Sequence, residues 1–131
     1  MGKKKIDTQK MVLMCINALL EKRAKDMIIL NVKELSNFAD YFVICSGTSD
    51  RQVRALASSI RENLKKSGVV PLGVEGENLG KWVLMDYNDL IVHIFYEPVR
   101  AFYDLERLWS DAPMMEIGED VTKLTSLDRG M

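Results

Sequence analysis

Histidine and cysteine are scarce in this sequence, which has one histidine and two cysteines among 131 residues. No Cys-x-x-Cys pair is present, and His93 alone cannot complete a cysteine–histidine metal set. Cys15 and Cys45 both lie among apolar residues, which favours two reduced core cysteines over a disulfide or a redox site. We therefore expect neither a metal nor a cofactor.

An excess of positive charge is also missing, because 18 lysines and arginines oppose 19 aspartates and glutamates and the formal net charge is −1. A protein that holds nucleic acid through its phosphates normally needs a basic excess or a concentrated basic stripe. The dense basic run, residues 3–5, lies at a terminus that we expect to be mobile. This balance argues against an RNA-binding module and predicts little direct contact with nucleic acid.

Long apolar runs are absent too, and no segment is long enough to span a bilayer. The basic start of the chain resembles the first part of a signal peptide, but Asp7, Gln9 and Lys10 interrupt any apolar segment after it. We expect a cytoplasmic protein that does not contact a membrane.

The hydrophobic periodicity predicts one α/β domain over residues 1–112, with a mixed sheet flanked by helices. Helices are predicted over residues 8–24 and from Ser49 to Gly68, and strands over residues 26–32 and 40–45. The segments "KWVLMDY" and "LIVHIFY" predict a hairpin that turns at Asn88 and Asp89. Residues 113–131 have little periodicity and are expected to form a loosely held tail.

A last helix is predicted to begin at Pro98, because proline is favoured in the first turn of a helix. Its apolar spacing predicts an inner face made of Phe102, Leu105, Leu108 and Trp109. Pro113 is expected to end this part of the chain.

The stretch "CSGTSDRQVRALASSI" places a strand, a Ser-Gly-Thr-Ser loop and a helix in succession, which is a common geometry for binding phosphate. The loop resembles a nucleotidyltransferase Gly-Ser turn, but it lacks the lysine spacing of a P-loop. Nucleotidyl transfer also needs two or three carboxylates on adjacent strand positions to hold Mg²⁺. Neither Glu75 with Glu77 nor Asp86 with Asp89 supplies such a pair. We therefore expect the loop to turn a strand into a helix whose first turn is capped by Ser49 in a capping box with Gln52.

The predicted hairpin has two different faces, because side chains alternate along a strand. One face is apolar enough to be the core side and consists of Val83, Met85, Tyr87, Leu90, Val92 and Ile94. The opposite face mixes aromatic and polar groups and consists of Trp82, Leu84, Asp86, Ile91, His93 and Phe95. Such a mixture is typical of a protein-binding hot spot if the face is exposed, and of a second core if helices cover it. The pattern favours the exposed interface and leaves the covered core as the alternative. A lone histidine in mid-strand is more typical of a packed residue than of a general base.

Four blocks read together, "ADYFVICSGTSDRQVRALA", "PLGVEGE", "WVLMDYNDLIVHIF" and "YDLERLW", closely resemble the ribosomal silencing factor family (RsfS or Iojap-like proteins) over residues 7–112. The resemblance implies a nucleotidyltransferase-like fold without the catalytic carboxylates, and no enzymatic activity. It implies binding to the large ribosomal subunit through ribosomal protein fourteen on the intersubunit face, which would block joining of the small subunit and repress translation when nutrients are limited. It also implies a homodimer when the protein is free.

The same resemblance implies which residues bind the large subunit. The family's aromatic contact falls on Trp82, and the acidic and apolar positions after it fall on Asp86 and Tyr87, where some members have leucine. Lys81 and Leu84 complete the predicted partner-binding set. We expect Trp82, Asp86 and Tyr87 to lie together near the turn of the hairpin. The alternatives are a factor for assembly of the large subunit and an active nucleotidyltransferase.

Overall fold

The computed structural model describes residues 6–117 and 124–126, which contain both helices and strands. The basic run at residues 3–5 lies outside the described residues. The elements are α1 (Thr8–Glu21), β1 (Lys25–Asn31), β2 (Tyr41–Gly47), α2 (Asp50–Lys65), β3 (Gly73–Glu75), β4 (Trp82–Asp86), β5 (Leu90–Tyr96), α3 (Glu97–Tyr103), α4 (Leu105–Leu108), β6 (Met114–Ile117) and β7 (Leu124–Ser126).

The strands form one seven-stranded sheet in the order β3-β4-β5-β2-β1-β6-β7. The central strands β2 and β5 run parallel, with Tyr41 opposite Leu90 and Gly47 opposite Tyr96. The other neighbouring strands are antiparallel. The predicted α/β fold with a mixed sheet is therefore confirmed, while its relation to nucleotidyltransferases stays a prediction.

Two apolar clusters lie on opposite faces of this sheet. The larger cluster joins α1 and α2 to one face and includes Leu19, Leu56 and Ile60. The smaller cluster lies on the other face, where Leu105 and Trp109 pack against it. Because β-strand side chains alternate, β1, β2, β4, β5 and β6 each contribute to both clusters.

The loop after β2 forms the predicted cap of α2. The Ser49 hydroxyl accepts a hydrogen bond from the backbone N–H of Gln52 at 3.0 Å. The Gln52 side chain accepts from the backbone N–H of Thr48 at 2.7 Å, one residue before the position that completes a standard capping box. Gly68 follows the helix with a φ of 77°, a left-handed conformation that glycine adopts without strain.

The predicted last helix is broken, and its predicted inner face is wrong at two positions. Asp104 has a φ of 48° and separates α3 from α4, so the helical periodicity is interrupted there. Phe102 and Leu108 are consequently exposed, whereas Leu105 and Trp109 pack against the smaller cluster.

Strands β6 and β7 follow Ala112, where the sequence predicted only a loosely held tail. Met114 lies opposite Leu30 of β1, and β7 pairs with β6. A four-residue strand is too short for its alternation to be recognised, and its pairing with β1 depends on contacts distant in sequence. The division of the chain at residue 112 stays a prediction.

Candidate functional site

Ser46, near the end of β2 and just before the loop that leads to α2, lines a cavity of about 490 Å³ that is poorly suited to phosphate. Its lining contains one basic side chain, Arg100, and four carboxylates, those of Asp26, Glu97, Asp104 and Glu106. The Arg100 guanidinium already donates to Ser46 and Glu106. Among the described residues, no group of three or more histidine, cysteine, aspartate or glutamate side chains could hold a metal ion. The arrangement offers a nucleotide neither a cationic pocket nor a carboxylate clamp for Mg²⁺.

The two cysteines are free thiols, both buried. Burial raises the pKa of Cys45 to about 12 and raises the pKa of Cys15 well above its usual range. Since the thiolate is the reactive form of cysteine, neither residue is a nucleophile at neutral pH. The prediction of two core cysteines is confirmed.

The hairpin has the predicted register. Met85 lies opposite Val92 and Val83 lies opposite Ile94, while the N–H of Tyr87 donates to the carbonyl of Leu90 at 2.8 Å. The predicted core face is buried against the larger cluster at all of its positions: Val83, Met85, Tyr87, Leu90, Val92 and Ile94.

The opposite face of the hairpin is partly covered, so each of the two alternatives describes part of it. Phe95 and His93 are buried, whereas Trp82 and Leu84 are half-buried. The Trp82 ring lies with its centroid 4.7 Å from that of Phe95 and 5.0 Å from that of Tyr103. Helix α3 therefore covers the end of the hairpin that lies farthest from the turn, while Leu84 and Asp86 on the same face stay partly exposed.

His93 holds the indole of Trp82 in place. The Trp82 Nε1–H donates to His93 Nδ1 at 3.2 Å, so the neutral imidazole carries its proton on Nε2. Burial lowers the pKa of His93 to about 4, which keeps the ring neutral at physiological pH. The histidine is therefore a packed hydrogen-bond acceptor, as its mid-strand position indicates.

An apolar groove of about 590 Å³ lies beside Leu84 on this face. One wall is the segment before β2, the floor is the sheet, and the other wall is α4 with the residue that follows it. Phe38 and Leu108, at its rims, are 83% and 77% exposed. The groove is lined by Leu35, Ser36, Asn37, Phe38, Phe42, Leu84, Ile91, His93, Leu105, Leu108 and Trp109. We use the name apolar groove for these residues below.

The predicted partner-binding residues do not all lie together. Trp82, Leu84 and Asp86 share one face, but Trp82 is at the end of β4 remote from the turn, about 13 Å along the strand from Asp86. Lys81 is exposed, with its Nζ 4.8 Å from the centroid of the Tyr96 ring. The side chain of Tyr87 is 4% exposed and points to the opposite face. The expectation that Tyr87 joins Trp82 and Asp86 is wrong, because consecutive strand residues face opposite ways.

Sequence reasoning missed the two walls of the groove. Phe38 follows Ser36 and Asn37 in a segment without periodicity, and Leu108 was assigned to the core. An exposed phenylalanine in an irregular segment was the available signal for the first wall.

No helix among the described residues has the length and apolar character needed to cross a bilayer.

Comparison with known proteins gives consistent matches. Residues 5–129 match the family described as "Ribosomal silencing factor during starvation". A ribosomal silencing factor from Halalkalibacterium halodurans is 38% identical over 112 residues, covering 86% of this chain and 96% of the relative. One from Bacillus subtilis is 41% identical over 97 residues, covering 74% and 82%. A crystal structure of a protein from Chromobacterium violaceum superimposes with a TM-score of 0.78 at 38% identity, covering 80% of this chain and 88% of that one.

Proposed function

Because the chain belongs to the family of ribosomal silencing factors, we propose that it binds the large ribosomal subunit through ribosomal protein fourteen on the intersubunit face. A protein bound there occupies space that the small subunit needs, so it blocks subunit association and represses translation when nutrients are limited. We place this action in the cytoplasm.

The observation that carries the proposal is the open apolar groove and the hairpin face that continues from it. A contiguous patch of exposed apolar side chains is typical of a protein-binding surface, and aromatic residues contribute much of the binding energy at protein interfaces. Phe38 and Leu108 project at the rims, and Leu84 lies between them and Trp82. This surface offers a protein partner a central apolar contact.

Charged residues next to this surface orient the partner as it docks. Lys81 precedes Trp82 on the chain, and Asp86 lies on the same strand face as Trp82. Charges at the rim of an interface mainly affect association rate and register, and their contribution falls with salt. Lys81 and Asp86 therefore set how the partner docks, while the apolar residues supply the affinity.

A steric mechanism requires binding and no chemistry. In the part of the chain that the structure describes, both thiols and the imidazole are buried, and no cluster of metal ligands occurs. These observations support a binding factor and oppose the nucleotidyltransferase alternative.

Two leucines of similar exposure test the proposal. Leu108 lies in the groove and is 77% exposed, whereas Leu72 lies outside it and is 73% exposed. We expect Leu108→Ala and Phe38→Ala to weaken co-sedimentation with isolated large subunits, and Leu72→Ala to leave it unchanged. Loss of an aromatic anchor that a partner buries typically costs about 2 kcal/mol or more, roughly thirtyfold in affinity, so Phe38→Ala should have the larger effect. Trp82→Ala is less suitable, because Trp82 is half-buried against Phe95 and its truncation also lowers stability.

A subunit-joining assay separates the silencing function from its alternative. Wild type added to separated subunits should reduce the intact-ribosome peak in a sucrose gradient, and Phe38→Ala should reduce it less. Binding to large subunits without any effect on joining would favour the assembly-factor alternative. Absence of binding by the wild type would contradict both.

We also propose that the free protein is a homodimer, which the family resemblance implies. Light scattering across a concentration series measures this directly, and a monomer mass at all concentrations would contradict it.

A further inference from the structure

Arg100 links four elements of the fold through one guanidinium. Its Nη1 donates to the backbone carbonyl of Asp26 at 2.7 Å and to the Ser46 hydroxyl at 2.9 Å, which joins α3 to β1 and β2. Its Nε and Nη2 donate to the two carboxylate oxygens of Glu106, at 3.2 and 3.1 Å, which joins α3 to α4. This is the paired geometry in which arginine and carboxylate interact most strongly.

The pair is well shielded compared with another ion pair of the same helix. The side chain of Arg100 is 12% exposed and that of Glu106 is 34% exposed. Glu97, also on α3, approaches Lys25 at 3.9 Å, and both side chains are about half exposed. Exposed pairs contribute little, whereas a shielded bidentate pair resists solvent and salt.

Helix α4 needs an external attachment, because its four residues are far too few for a helix to be stable alone. It begins directly after the left-handed Asp104, whose side chain makes no capping hydrogen bond. Leu105 and Leu108 of this helix, with Trp109 after it, nevertheless form one wall of the apolar groove. The Trp109 ring packs edge-on against Phe42, 4.8 Å between centroids.

We propose that Arg100 is a positioning residue for the apolar groove. Through Glu106 it fastens α4 across the break at Asp104, and through Asp26 and Ser46 it fastens α3 to the sheet. The groove therefore keeps its second wall in the free protein and need not form it on binding. The consequence for ribosome binding rests on the proposed function, whereas the consequence for α4 does not.

The experiment compares Glu106→Ala with the matched control Glu97→Ala. Each removes the glutamate of an ion pair that involves α3, but only Glu106 belongs to the Arg100 network. The protein is labelled with 5-fluorotryptophan, and its two fluorine resonances are assigned with Trp82→Phe and Trp109→Phe. We expect Glu106→Ala to shift or broaden the Trp109 resonance and to speed hydrogen exchange at the amides of Trp109 and Ala112. Amides of α1 and α2 should exchange as in the wild type, and Glu97→Ala should change neither signal.

Binding to isolated large subunits is measured on the same variants. We expect Glu106→Ala to weaken it by on the order of tenfold, since a hydrogen-bonded charge pair is lost. Glu106→Gln keeps an acceptor oxygen and should restore part of both the resonance and the affinity. Arg100→Lys keeps the charge but cannot reach all four acceptors, so it should resemble Glu106→Ala.

An unchanged Trp109 resonance and unchanged exchange in Glu106→Ala would overturn the inference, whatever the ribosome data show. An opened α4 with full affinity for large subunits would overturn the link from positioning to binding. If the wild type itself fails to bind large subunits, the proposed function fails, while the fluorine and exchange measurements still decide the role of Arg100.

Discussion

The hydroxyl of Tyr87 is buried, and within the described residues it has no hydrogen-bond partner. Leaving a buried hydroxyl unpaired costs about 1–3 kcal/mol. We therefore expect Tyr87→Phe, which keeps the ring, to leave the free energy of unfolding unchanged or to raise it by about 1 kcal/mol. Urea unfolding measures this.

Tyr41 supplies the matched control, because it is also buried but its hydroxyl accepts from Gln9 Nε2 at 3.4 Å. Tyr41→Phe should lower the free energy of unfolding by about 0.5–1 kcal/mol, since this hydrogen bond is long. A loss in Tyr87→Phe as large as that in Tyr41→Phe would mean that the Tyr87 hydroxyl has a partner.

His93 makes stability depend on pH in the acidic range. Burial lowers its folded pKa to about 4 from an ordinary value of 6.5. The unfolded chain therefore binds a proton more readily than the folded one between these values. The free energy of unfolding therefore has its full value, as far as His93 is concerned, above pH 6.5. It decreases as the pH falls towards 4, by up to about 3 kcal/mol. Protonation also removes the Nδ1 acceptor used by Trp82.

Urea unfolding at pH 7 and pH 4.5 tests this dependence in the wild type and in His93→Gln. Glutamine does not titrate, so the variant should lose less stability over the interval. Equal losses in the two proteins would assign the acid sensitivity to carboxylates instead.

At the scale of elements, the cap and the buried stripe of α2 contribute different amounts. Ser49→Ala removes the acceptor for the Gln52 N–H and should cost about 1 kcal/mol. Leu56 is completely buried in the larger cluster, so Leu56→Ala should cost roughly 2–5 kcal/mol through lost burial and a cavity. The two variants are compared in urea melts. The reverse order would contradict the assignment of this helix face.

The elements that the sequence predicted share a strong local signal. The apolar stripe and the Ser49 cap predict α2, and the turn residues Asn88 and Asp89 predict the register of the hairpin. The break between α3 and α4 has no such signal, because a left-handed aspartate is uncommon and has no sequence pattern of its own. The short strand β6 is defined by its neighbour β1.

At the scale of the whole molecule, the order of elements and the two-faced sheet could be predicted, whereas the apolar groove could not. Its walls come from Phe38 and Leu108, seventy positions apart, and only the folded sheet brings them together. Trp82, Leu84, Asp86 and Lys81 remain predicted contacts for the large subunit. The family resemblance implied that Tyr87 contacts the partner, but the alternation of side chains places Tyr87 in the core.

The parallel pairing of β2 with β5 has a consequence for the synthesis of the protein. Each residue of β2 lies opposite one made 49 positions later, so β2 emerges from the ribosome long before its central neighbour exists. The hairpin is complete only once β5 has been made, and α4 follows β5 along the chain. A nascent chain therefore cannot present the apolar groove, whose lining extends to Trp109, until translation of the domain is almost finished.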